Sequence, residues 1–440
     1  MKLSAKMHNL AEDSQVRAAA GMGFFWLSAF YFVYCIRPED WIHPLSLIPL
    51  AKITGIAAFL ALLFGAAKGK RKLRDLPPES FYLLAMIAVL MVSSLLSPVW
   101  KGGAVSRTLD FSKVYIVWVL TFLLVTDLAK FRKIVYLQAA AVPLICVISI
   151  IKGQNTPRLD GVLGGIYSNP NDLAFAIVLS LPFCFMFLLS TRSGLKKLIW
   201  AAGMLVMAKA LFMTASRGGF ITLVVAGAVC LWHYGVKGKR LYLIVATGLA
   251  GVILFATEGA TLKERFATLW SDDLENSQQR SAYGSYEQRR YLMDRAVEGI
   301  LEYPVLGMGT RNFEVYSGVW REVHMTYMQI AAEGGIPSLI LFLLFFARGF
   351  KNLRILRKRK DLPVDIHLFS GALHSSLVGF VVGACFSPEA YQFFPFFAVA
   401  YTSALLAYVR ETDRVAALQP QGAPAPVPGR LKAGRMPVTT

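Results

Sequence analysis

"REVHMTYMQIAAEGGIPSLILFLLFF", residues 321–346, changes character along its length. Arg321, Glu322 and His324 are polar, and the residues that follow become apolar enough to enter a lipid bilayer. A helix needs about 20 apolar residues to cross a hydrocarbon core, and in lipid it satisfies its own backbone polar groups. A histidine at such a border has two readings. It is an interfacial side chain solvated by headgroups and water, or it is a general base or proton shuttle, which an unperturbed pKa of about 6.5 suits.

Stretches of this kind fill the chain. Its 440 residues are 55% hydrophobic and only 17% charged, with a mean hydropathy of +0.51. Average soluble domains carry roughly a quarter charged residues. The pattern predicts an all-α, polytopic transmembrane helical bundle of twelve spans, near 21–36, 44–66, 79–97, 110–127, 132–151, 172–190, 195–213, 219–235, 240–256, 326–347, 366–385 and 390–409. The expected organisation is an N-terminal segment at 1–20, spans one to nine within 21–256, a large loop at 257–325, spans ten to twelve within 326–409, and a tail at 410–440. From Gln419 the tail is rich in Pro, Gly and Ala, which predicts disorder. No cleavable signal is expected, because Met1–Arg17 is polar and the first apolar stretch lacks a small-residue cleavage pattern.

The net charge of +19 could suggest nucleic acid, but its distribution argues against that. With the N-terminus placed in the cytoplasm, segments on that side carry three to seven Lys or Arg each, for instance seven in 348–360, whereas the short opposite loops carry none to two. That alternation obeys the positive-inside rule, supports an even number of spans with both termini cytoplasmic, and makes anionic membrane lipids the expected neighbours. The five cysteines, at 35, 146, 184, 230 and 385, all fall in or at the ends of apolar spans and form no CxxC pair. Neither a disulfide framework nor a zinc site is indicated.

The loop at 257–325 departs from the basic bias, with eight Lys or Arg against eleven Asp or Glu. In "YEQRRYLMDRAVEGILEYP" (286–304), Tyr286, Met293, Ala296, Val297, Ile300 and Leu301 recur at roughly helical spacing. This predicts a surface helix over the membrane face, closed by Pro304 and "GMG" at 307–309. Two further polar pieces share its side. "TASRGGF" (214–220) is so short a turn that Arg217 must sit at the membrane boundary, and "RLDGVLGGIYSNPNDLAF" (158–175) leads into span six.

A charged residue near bilayer depth is a functional-site candidate. Arg217 reads either as a snorkelling helix-end arginine or as an anion clamp. As a topology signal it would lie on the wrong side of the membrane. Gly218 and Gly219 beside it leave room for a ligand or another backbone, and a guanidinium offers phosphate a planar fork of donors. His8, His43, His233, His367 and His374 read as structural, although His374 should be buried. Asp272 and Asp273 form an acidic pair with no further metal ligand spaced to complete a site. There is no nucleotide-binding Gly-rich loop after a strand and no nucleophile elbow.

"SRGG" (216–219), "SYEQRRYLMDRAVEGILEYPVLGMG" (285–309) and "HMTYMQIAAEGGIPSLILF" (324–342) resemble the O-antigen ligase family, which joins lipid A-core:O-antigen ligases, O-antigen polymerases and protein O-oligosaccharyltransferases. "YFVYCIRPEDWIHPLSLIPLAKITG" (31–55) looks like the branch associated with exosortase and exopolysaccharide loci. The resemblance implies a GT-C-like helical fold of the bacterial inner membrane and a metal-independent inverting glycosyltransferase without cofactor. Its donor would be a glycan on undecaprenyl diphosphate. Its acceptor would be a hydroxyl of lipid A-core, another glycolipid or a protein, at the periplasmic face.

By the same resemblance the family's arginine in the short loop falls on Arg217. The one preceding its "PllGxG" motif falls on Arg289, with Arg290 the alternative, and its histidine falls on His324, with Glu333, Gly335 and Pro337 downstream. These imply a catalytic trio of His324, Arg217 and Arg289. The expected substrate-binding residues are Arg290, Arg158, Asn169, Asn171, Arg321, Tyr327 and Glu333. Met325, Ser338 and Met293 depart from the family's usual Asn or Ser, Gly and Trp. A polymerase of the same family, a lipid-linked glycan transporter and a non-catalytic scaffold are the competing expectations. A transporter predicts inverted repeats and mid-bilayer polar residues, whereas here the polar candidates gather on one face.

Overall fold

The computed structural model describes residues 21–65, 71–153, 158–159, 167, 169–267 and 277–418. Its helices are α1 (21–36), α2 (Leu50–Gly65), α3 (Pro78–Leu95), α4 (Lys101–Leu124), α5 (Leu128–Lys152), α6 (Pro170–Ser190), α7 (Gly194–Thr214), α8 (Arg217–Leu231), α9 (Tyr242–Glu258), α10 (Ala260–Ala267), α11 (Ser277–Glu302), α12 (Thr326–Lys358), α13 (Val364–Gly383) and α14 (Phe393–Leu418). No strand occurs among the described residues. Among the described residues, eight helices are long and apolar enough to cross a membrane: α3, α5, α6, α7, α8 with its continuation to Val236, α12, α13 and α14. The apolar α2 and α9 are shorter. The chain is a multi-pass helical membrane protein.

Each stretch expected to span coincides with a helix, but several boundaries move. The second begins at Leu50 rather than 44, because His43–Leu45 closes a tight 3₁₀ turn behind the short helix Pro38–Trp41. The fourth begins at Lys101 rather than 110, since the polar "KGGAVSRTLDFSK" is helical although hydropathy hides it. α12 continues past 347 to Lys358. The helix starts follow local chemistry. Asp127, Asn169 and Ser216 each cap a helix by accepting from a backbone N–H, while Pro78 and Pro170 fill first-turn positions that need no donor.

The core is aromatic. The Phe346 and Phe380 ring centroids lie 4.5 Å apart, and Phe345 lies 5.4 Å from Phe396, joining α12, α13 and α14. Polar pins lock one end of the bundle. Buried Arg71 donates to the Phe122 and Val125 carbonyls at 2.7 and 2.9 Å and to Glu411 at 2.6 Å. Buried Glu79 on α3 accepts from Asn352 of α12 at 2.7 Å and from Ser403 of α14 at 2.5 Å. Polar groups buried in this way must find protein partners.

The large loop folds down onto the other end. Leu292 and Ala296 of α11 pack with Met308, Phe313, Val323 and Ala332 in a small second core. The expected surface helix forms, but its apolar set divides. Ala296 is buried, whereas Tyr286, Met293, Val297 and Leu301 are exposed, because the inward face is set by 289, 292, 296 and 299. Met1–Ala20, Asp272, Asp273, much of 158–175 and the tail from 419 lie outside the described residues.

Candidate active site

The site is built around a break in α12. Gly335 has φ 73°, a left-handed conformation that stops the helix and lets it restart at Pro337. Into the break fits the strap 304–309. Met308 and Gly309 donate their N–H groups to the carbonyls of Ala332 and Glu333, both at 2.9 Å, and Ile336 donates to Pro304 at 2.8 Å. The Glu333 carbonyl also accepts from Ser93 Oγ at 2.8 Å. Side chains have no space where the two segments cross: a Cβ on Gly307 would lie 2.5 Å from the Glu333 carbonyl carbon. This crossing fixes the start of α12, and so the position of His324 just before it.

Arg217 occupies the first position of α8, behind the Ser216 cap. The turn before it is tight, with Ala215 at φ 49°. Arg158 holds that turn by donating to the Thr214 carbonyl at 2.9 Å and to Asn171 Oδ1 at 3.4 Å, while Ser216 Oγ donates to the same oxygen at 2.8 Å. The glycines after Arg217 serve packing. A Cβ on Gly218 would lie 2.7 Å from that of Phe386, and one on Gly219 would lie 2.6 Å from that of Ala174.

Arg289 comes down from α11 into a small cavity lined also by Asn171, Ser216, Gly218, Phe386 and Ser387. It is half-buried, its Nε has no hydrogen-bond partner among the described residues, and its pKa is pushed down to about 10. Burial is the main cause, followed by the charges of Arg217 and Arg158. His324 is half-buried with Nδ1 unpartnered among the described residues. Burial first, then the charges of Arg289 and Arg321, push its pKa down to about 4. At neutral pH the imidazole is therefore uncharged and able to accept a proton.

The region from α7 to the middle of α12, residues 202–343, matches the family described as O-antigen ligase. That match covers about a third of the chain and makes this segment similar to O-antigen ligases. The matched segment contains Arg217, Arg289 and His324. A search of curated proteins finds no match. The match supports, at family level, a ligase- or polymerase-type glycosyltransferase.

The other expected site residues differ in surroundings. Arg290 is exposed beside half-buried Arg289. Arg321 is exposed, although its charge reaches His324. Asn169 is spent on the α6 cap, and the Tyr327 hydroxyl donates to the Val381 carbonyl at 2.8 Å. Glu333 is buried. One of its carboxyl oxygens accepts from Tyr391 at 2.6 Å and the other has no partner among the described residues. His374 is satisfied by His233, nitrogen to nitrogen at 3.1 Å.

Sequence reasoning missed several groups beside the trio. Arg311, in a left-handed conformation at φ 56°, lies 3.9 Å from Glu322. Burial raises Glu322 to about 8, against the pull of Arg311. Glu389, raised by burial, accepts from Ser387 at 2.7 Å. Glu322 stands two residues before His324, and that spacing was the available signal. A separate chamber of about 720 Å³ lies between α1, α2 and α4 and reaches Arg311 and Tyr391. Among the described residues no group of three or more His, Cys, Asp or Glu could hold a metal ion.

Proposed function

We propose that this chain is an inverting glycosyltransferase of the ligase type. It moves a glycan from undecaprenyl diphosphate to an acceptor hydroxyl at the periplasmic face of the bacterial inner membrane. The observation that carries this reading is the gathering of Arg158, Arg217 and Arg289, whose charges bear on one another, beside an uncharged His324. Mutually repelling guanidinium groups near a bilayer boundary are stabilised by a multivalent anion, and a diphosphate supplies one.

Arg217 and Arg289 hold the diphosphate and stabilise the negative charge that builds on it as the sugar–phosphate bond breaks. One such donor is typically worth about 3–4 kcal/mol. The acceptor oxygen attacks the anomeric carbon from the face opposite the leaving group, which inverts the configuration. Its proton passes to His324, and the bonding pair leaves with the diphosphate. The bound dianion offsets the charges that depress His324 and so raises its basicity during turnover.

The test is glycan transfer in membranes carrying His324→Ala, Arg217→Ala or Arg289→Ala at normal abundance. The expected loss is about 10²–10⁴-fold. Full activity in any one variant removes that residue from the mechanism. A ligase leaves full-length chains on the carrier when inactivated, whereas a polymerase leaves single repeat units.

A further inference from the structure

The outer side of α11 is divided by chemistry. At about 3.6 residues per turn, the inward set 289, 292, 296 and 299 takes up about 80° of the circumference. The adjoining arc of similar width holds Tyr286, Met293, Val297 and Leu301, all exposed, because the second core covers only the inward face. The arc beyond it holds Glu287, Asp294, Glu298 and Glu302, which are all the acids in 286–302. Arg295 pairs with Glu298 there, and Glu302 accepts from the Tyr316 hydroxyl at 3.0 Å. The one charge of 286–302 in the apolar arc is Arg290, whose long stem can hold its head away from an apolar surface. A helix with water along its whole outer side has no cause to sort its acids away from its hydrocarbon. One with protein, lipid and water on three sides does.

The apolar arc runs on into the side of a membrane span. Leu301 is 75% exposed, and Val305, in the strap that follows, is 64% exposed. The hydrogen bond that Ile336 donates to the Pro304 carbonyl, at 2.8 Å, sets Val305 beside the restart of α12. From there Ile336, Ile340, Leu343 and Leu344 recur at helical spacing and are exposed down one side of α12. That helix is long and apolar enough to span a membrane, so its exposed apolar side faces lipid. We propose that the apolar arc of α11, together with Val305, is a lipid-contact surface continuous with the lipid face of α12. It sits in the leaflet on the side of the candidate site. Its partner is the upper acyl-chain region of the bilayer, with Arg290 reaching back to the headgroups and the acidic arc facing water. Arg289 lies at the margin between the protein-facing and lipid-facing arcs, so the second core and the bilayer together fix its height at the membrane boundary. The inference stands on packing and exposure, and it holds whatever reaction the site performs.

The test places a nitroxide on single cysteines of the full chain, reconstituted in phosphatidylcholine vesicles. Cys385→Ser removes the exposed thiol, and the other four cysteines are buried. Val297→Cys and Leu301→Cys report on the apolar arc, Asp294→Cys and Glu298→Cys on the acidic arc, and Ile340→Cys on the span. All five side chains are exposed, so their replacement leaves the packing intact. Oxygen, which partitions into hydrocarbon, is expected to relax the labels at 297, 301 and 340 more than a water-soluble nickel chelate does. At 297 and 301 the ratio should correspond to a seat about 5–10 Å into the headgroup and acyl boundary. The order is expected to reverse at 294 and 298. Equal access of the chelate at all four α11 positions puts the arc in water and overturns the proposal. Labels at 297 and 301 that are sheltered from both reagents put protein there, a second copy or another chain, and overturn it as well. Val305→Cys repeats the measurement on the strap, which decides the matter if a variant on α11 fails to fold.

Discussion

The backbone of Gly335 passes so close to Val305 that a Cβ there would lie 2.1 Å from the Val305 carbonyl oxygen. The obstacle is backbone, which cannot rotate away, and the residue is at φ 73° as well. Gly335→Ala therefore carries left-handed strain of about 1–3 kcal/mol with a steric clash added. The expected outcome is a large fall in melting temperature and in membrane abundance. Gly251→Ala in α9 is the control, since nothing lies within 4 Å of its would-be Cβ. Equal behaviour of the two variants would mean that the strap does not cross the break in α12 as described.

Arg289 and Arg290 are neighbours in sequence but not in environment. Arg289 is half-buried and bears the charges of Arg217 and Arg158, whereas Arg290 is exposed. Arg289→Ala is expected to lower transfer by about 10²–10³-fold. Arg290→Ala should stay within about threefold, because exposed charges contribute little. The reverse order, measured at matched abundance in membranes, would move the diphosphate clamp to the outer face of α11.

That distinction was partly legible in the chain itself. Leu292 and Ala296 lie three and seven residues beyond Arg289, so one helical face carries all of them, and the stripe through Met293 and Val297 carries Arg290 outward. Hydropathy located the helices well where they are apolar throughout. It failed at α4, whose first half is charged because it lines the chamber. Residues near the matched motifs, such as Glu333, could be nominated by resemblance. Arg311, Glu389 and Tyr391 could not, because their convergence depends on how distant segments pack, and no periodicity encodes that. Arg71 read as one of many topological charges, yet it is buried and bonded to groups at the end of α4 and on α14.

The pH profile of transfer follows from His324. Its pKa is depressed to about 4 by burial, then by Arg289 and Arg321. The base works unprotonated, so kcat/KM is expected to be flat near neutrality and to fall only as pH drops through that value. Arg321→Ala removes a positive neighbour, raises the histidine's pKa and moves the acid limb to higher pH. The shift should be less than about one unit, because Arg321 is exposed and screened. The limb for kcat should lie above that for kcat/KM, since the bound diphosphate favours the imidazolium. An acid limb that ignores Arg321 would take the proton-accepting role away from His324.

Tyr391 holds the Glu333 carboxyl group from across the bundle, at 2.6 Å, and the other oxygen of that group has no partner among the described residues. Tyr391→Phe removes this bond from a buried carboxyl group, which costs about 1–3 kcal/mol. A lower melting temperature in detergent is expected. The second change, Glu333→Gln, should then recover part of the loss, because an amide carries no charge that burial would penalise. The double-mutant cycle measures this coupling directly. Strict additivity of the two changes would mean that the hydroxyl and the carboxyl group do not interact. Glu333 would then be held by its backbone alone, through Ser93 and Gly309.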